Sequence, residues 1–207
     1  MNCIGRFMIV LLAAGAASAT TQGAPGLRHV VLAFDRGAAP AFERAVTEEA
    51  RRVWAAYGIE LDDSPPGAPR RSAAITLQVS IVQRPAPGSN TETLGSIVFR
   101  DGVAEPRISL YVSTAADLMS TATREDPSHW TVAYHDALLT RVLGRALAHE
   151  IGHYVLNTKE HSRSGLMRAV HPIAELMELR GGDLGLTPDD REALCDALSH
   201  APDPNRT

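Results

Sequence analysis

Apolar and polar positions fall into a few well-defined blocks along this chain. Over 73–82 they alternate: Ile75, Leu77, Val79 and Ile81 share one face, which predicts a half-buried strand. Shorter apolar runs predict three more strands at 29–34, 94–99 and 107–112, the last two joined by a tight turn at Asp101-Gly102. Over 40–57 the period changes to that of a helix, with Phe42, Ala45, Val46, Val53, Trp54 and Tyr57 on one stripe; Pro40 suits its first turn and Gly58 its stop. The longest helical pattern covers 134–156, its apolar side formed by Leu138, Leu139, Val142, Leu143, Ala146, Leu147 and Ile151. A final helix opens at Thr187-Pro188-Asp189-Asp190, where a hydroxyl cap, a first-turn proline and acids at the positive end of the dipole coincide, and it runs to about 199. The intervening stretches read as a Pro- and Gly-rich loop at 62–71, a turn at 85–90, a surface loop within 117–130, and a largely irregular segment over 157–185 with a short helix at 173–179. This order predicts an α+β domain, in which a small, mixed, twisted sheet packs on two long helices.

Composition adds limits. With 207 residues, 44% hydrophobic and 21% charged, the chain suits one globular domain with a sizeable core. A net charge of -4 without a basic stripe argues against a nucleic-acid partner. The first residues read as a secretory leader over 1–19: Arg6, an apolar run at 7–14, and the small-residue cleavage pattern Ala17-Ser18-Ala19. The run is too short for stable membrane insertion. The expectation is a single domain over 20–207, secreted or periplasmic, with little room for a propeptide. Cys3 would leave with the leader, so Cys195 would have no disulfide partner; its setting among Ala193, Leu194, Ala197 and Leu198 predicts a buried, inert thiol.

The chemistry concentrates in His149-Glu150-Ile151-Gly152-His153, deep in the long helix. Histidines four apart project from one helix face, so both imidazoles can reach one tetrahedral zinc. Glu150, next to the first of them, can take a proton from a metal-held water without itself ligating the ion. The spacing is that of metal-assisted hydrolysis. A catalytic zinc takes three protein ligands and leaves a position open. His161 leads for the third; Glu175 and Glu178 on the short downstream helix, and His171 before Pro172, are the alternatives.

The stretch HEIGHYVLNTKEHSRSGLM resembles the metzincin zinc metallopeptidases, and within them the matrixin-like branch. That resemblance implies His161 as third ligand, Met167 as the Met-turn residue beneath the metal, and a C-terminal helix after that turn. It also implies a peptide or protein substrate, laid along an edge strand above the metal, for which 107–112, the last strand before the long helix, is the expected equivalent. The spacing departs from the family's: Leu156 stands where a glycine is usual, Lys159 where the third histidine is usual, and His161 comes two residues later. Asn157, which tolerates a left-handed backbone, is suited to end the helix in the glycine's place. The expected activity is peptide hydrolysis; a catalytically idle zinc-binding protein and a zinc hydrolase of other amides or esters share the same motif.

Overall fold

The computed structural model describes residues 28–35, 37–63, 74–86, 92–123, 129–179 and 184–200. The expected leader and its cleavage site lie outside them, as does most of the loop at 62–71. Among these residues, five strands and five helices follow in the order β1 (His29–Phe34), α1 (Pro40–Ala55), β2 (Glu60–Asp63), β3 (Ile75–Val82), β4 (Gly95–Arg100), β5 (Val103–Tyr111), α2 (Val112–Ala122), α3 (Val132–Val155), α4 (Ile173–Met177) and α5 (Pro188–His200). The strands form one mixed sheet in the order β2-β1-β3-β5-β4. All neighbours are parallel except β4 and β5, which form a hairpin. Asp101 and Gly102 both adopt positive φ at its turn, as a tight hairpin matching strand twist requires.

The alternation in β3 has the expected consequence: Leu77 and Val79 are fully buried, and Ile75 and Ile81 pack on the core from its margin. Val30 and Leu32 of β1 and Ile108 and Leu110 of β5 join them, facing Val46, Ala50 and Trp54 of α1 and Leu143, Leu147 and Ile151 of α3. The small mixed sheet on two long helices is therefore as expected. The Trp54 indole crosses between the two helices and donates to the Ala148 carbonyl at 3.0 Å. Thr131 caps α3, its hydroxyl accepting from the Tyr134 amide at 3.2 Å. The Thr187 cap of α5 is also present, the Asp190 amide donating to its hydroxyl and the Asp190 carboxylate accepting from the Thr187 amide and hydroxyl.

Three sequence expectations are corrected. The strand at 107–112 is not an edge: β5 lies between β3 and β4, and β4 is the exposed edge. The chain reaches the edge first and the hairpin then carries it back inward, so the last strand before the long helix is an interior one. Helix α2 covers the start of the 117–130 region, up to Ala122, and residues 124–128 of the expected surface loop lie outside the described ones. Its VSTAADLMSTA sequence carries small and β-branched residues and no side-chain cap, which hides the helix, yet Ala115 and Met119 are fully buried along it. Strand β2, mostly acidic, is short enough to read as loop, in keeping with how sheet edges are blunted. Finally, Cys195 is exposed. Leu194 and Leu198, one turn apart, face the core, and Cys195 sits about 100° around the helix from Leu194. No helix among the described residues is long and apolar enough to cross a membrane.

Candidate metal centre

Helix α3 delivers the first two histidines into a cleft of about 510 Å3. Their Nε2 atoms lie 3.0 Å apart, and each ring is fixed from behind. His149 Nδ1 lies 2.8 Å from the Leu166 carbonyl and His153 Nδ1 lies 2.7 Å from the Thr158 carbonyl. A carbonyl can only accept, so both Nδ1 atoms carry the proton and both Nε2 lone pairs face the same point. Two lone pairs that close repel unless a cation or a proton lies between them. Burial lowers the His149 pKa to about 4 and that of His153 in the same direction, so both rings are neutral near pH 7, as ligation needs.

The chain leaves α3 at Leu156, and Asn157 turns it with φ +45°, the left-handed conformation expected of it. The Asn157 side chain also accepts the Ala104 amide of β5 at 2.9 Å, tying the helix end to the sheet. The turn returns His161 to the cleft. Its ring stacks on that of His149 at 5.4 Å between centroids and meets that of His153 edge-on at 4.8 Å. Ligand atoms of His149, His153 and His161 all fall within 4.8 Å of one another, a set able to hold a metal ion. His153 is buried, His149 half-buried and His161 exposed. Three imidazoles with an open side match the donor set of a catalytic zinc.

The rival residues lie elsewhere. Glu175 pairs with Arg168, and Glu178 is exposed beyond the end of α4. His171 lines the cleft and its ring meets that of His149 edge-on at 6.2 Å between centroids, but its nitrogens have other partners: Nε2 lies 3.2 Å from the Leu166 carbonyl and Nδ1 3.2 Å from Arg168. The loop bearing His161 is pinned twice: the Ser162 amide donates to the Met167 carbonyl at 2.9 Å, and the Ser162 hydroxyl donates to Asp190 at 2.6 Å. Removing the second anchor with Asp190→Ala should weaken zinc binding roughly tenfold, the lower end for groups that orient a ligand from behind. Competition with a chromophoric chelator measures this, and an unchanged affinity would show that Asp190 serves the helix cap alone.

Met167 is fully buried beneath this loop, against Gly152 inside the motif. A Cβ at residue 152 would run into the Met167 sulfur, so here the helix needs a glycine for close approach, not for backbone freedom. Gly152→Ala should cost about 1–3 kcal/mol as an overpacked core. Thermal melts check this, with Met167→Ala in the same chain expected to recover part of the loss.

Glu150 forms the upper wall. It is buried against Gly95 of β4, and the Ile97 amide of that strand hydrogen-bonds its carboxylate. Burial pushes its pKa up to about 8, with the Ile97 amide pulling the other way. Phe99, farther along β4, meets the His153 ring edge-on at 6.4 Å between centroids and carries the Lys159 ammonium 5.1 Å above its own ring. The sequence pattern singled out none of Gly95, Ile97 and Phe99. The one signal was a glycine at the mouth of an otherwise apolar strand, where a close neighbour is a common cause.

No protein-family model matches this chain, and no curated protein does. Among solved structures the fold is similar to that of the archaemetzincin from Methanopyrus kandleri, at 15% sequence identity over 88% of this chain and 98% of that one, with a TM-score of 0.47. What the cleft can do chemically follows from its own residues: three histidines able to hold a metal, a buried carboxylate beside them, and an exposed strand edge along the rim.

Proposed function

We propose that this chain is a zinc-dependent metalloendopeptidase, exported to the periplasm or the medium, that hydrolyses peptide bonds. The observation that carries this reading is the convergence of His149, His153 and His161 on one point, with the Glu150 carboxylate in the same cleft. Those three side chains would hold the ion. Zinc, when bound, supplies Lewis acidity that brings the pKa of a water toward neutrality and polarises a carbonyl. Glu150 takes a proton from the attacking water and returns it to the departing amine. Beside a dication its ionised form is favoured again, which offsets the burial that raises its pKa in the bare protein. The free edge of β4 offers backbone groups to an extended peptide segment, a mode of recognition with little sequence preference. Leu118, Ile173, Leu176 and Leu184 line the apolar part of the cleft, which suits an uncharged side chain of the substrate. The matrixin-like reading rests on His161 and on the Gly165-Leu166-Met167 turn, whose Leu166 carbonyl meets His149 Nδ1 and whose Met167 packs on Gly152.

Metal removal tests the proposal. The protein as isolated should carry about one zinc per chain. A chelator should abolish cleavage of a mixed peptide library, and stoichiometric zinc should restore it. A fully zinc-loaded protein that cleaves no peptide in such a library would support a binding role and sink the peptidase reading.

A further inference from the structure

A glycine inside a strand needs a reason. It weakens the strand relative to alanine, and it is usually kept for a left-handed backbone or for a close neighbour. Gly95 is not among the residues with positive φ, so any amino acid could adopt its backbone conformation. It is buried at the start of the edge strand and pairs with Leu110 of β5. The space a side chain would fill is taken. A Cβ at this position would lie 3.0 Å from Glu150 Cγ, 3.2 Å from Glu150 Oε1 and 3.3 Å from Leu110 Cδ2. Leu110 is fully enclosed in the core and has nowhere to go. The Glu150 side chain, which borders the cleft, is the one free to yield.

We propose that Gly95 is a positioning residue for Glu150: the bare backbone at the head of β4 forms a socket for the carboxylate, and any side chain there displaces it. Two residues along, the Ile97 amide holds the same carboxylate, so one strand supplies both the room and a donor. The strand whose free edge faces the substrate thereby also sets where the base stands. The consequence for rate rests on the reading of Glu150 as the acting carboxylate; the placement itself does not.

The test uses the full-length protein loaded with zinc. In crystals of Gly95→Ala the Glu150 carboxylate should move by several tenths of an ångström or change rotamer, with the histidine cluster unmoved. Gly95→Ala combined with Leu110→Val, which relieves the core-side contact, is examined alongside and should show the same displacement. A carboxylate that keeps its place in both variants overturns the proposal. In peptide hydrolysis Gly95→Ala should lower kcat about tenfold, with KM and zinc affinity unchanged, since a small misplacement of a reacting group is costly. In a Glu150→Ala background the same substitution should change the residual rate no further. An equal loss in both backgrounds, or a loss of zinc affinity, would assign Gly95 to the sheet or to substrate pairing and overturn the proposal. A parent protein that cleaves no peptide, with the carboxylate nevertheless displaced in the variant, would sink the peptidase reading while supporting the socket.

Discussion

Glu150→Gln should lower kcat for peptide cleavage by about 10²–10⁴-fold while leaving the fold and one zinc per chain in place. The substitution keeps the shape of the side chain and removes its ability to accept a proton. Among the described residues of the cleft, none replaces it. Glu92 and Glu150 are the acidic residues of the lining, and only Glu150 sits on the motif helix next to a histidine of the cluster. The histidines are turned to the metal side by the Leu166 and Thr158 carbonyls, and those bonds do not involve Glu150, so metal affinity should survive. Steady-state kinetics with metal analysis on the same sample decides the matter. A variant that cuts as fast as the parent would remove Glu150 from the mechanism.

The largest effect on stability should come from Arg145, which is buried one turn before His149. Its guanidinium pairs with Glu49 of α1 at 2.9 Å and donates to three carbonyls at the end of α4, those of Glu175, Leu176 and Glu178, at 2.8, 3.0 and 2.9 Å. One side chain thus joins the two long helices and closes the open end of the short one. Arg145→Met should strand Glu49 and those carbonyls in a buried setting, at about 3 kcal/mol, the lower end for breaking such a pair. Arg52 still holds the other Glu49 oxygen, which limits the loss. Arg145→Lys keeps the charge but cannot reproduce the planar fork, and should recover only part of it. Denaturant titration of the three proteins gives the ordering parent, Lys, Met. A Met variant as stable as the parent would mean that apolar packing replaces the network without loss.

The paired histidines and Glu150 were legible in the sequence because helical periodicity is local: placing 149 and 153 on one face needs nothing beyond the helix itself. The left-handed turn at Asn157 was legible for the same reason, being a property of one residue. His161 needed a count of residues around that turn, and the structure brings it to the cluster and leaves Glu175, Glu178 and His171 outside. What stayed hidden depends on strand order and distant pairing. The edge is not legible in the sequence, because a hairpin reverses the order and returns the last strand before the long helix to the sheet interior. The socket formed by Gly95 and Ile97, and the Glu49–Arg145 pair, join segments far apart in the chain, and hydrophobic period carries no trace of them. Cys195 was misjudged by one position on a helix whose buried face is narrow.

The turn at Asn157 keeps all three histidines, with the Thr158 and Leu166 carbonyls behind them, inside one short stretch of chain. Closing so small a loop costs little entropy, and Ala104 of β5 and Asp190 of α5 then pin it in place. The surroundings of Glu150 are of the other kind, since β4 arrives from a remote part of the chain and must first be paired through β5 and β3 to a parallel sheet, which forms slowly. The histidine cluster and the seat of the Glu150 carboxylate therefore form by different routes: the first is gathered within a local segment, the second waits for the completed sheet.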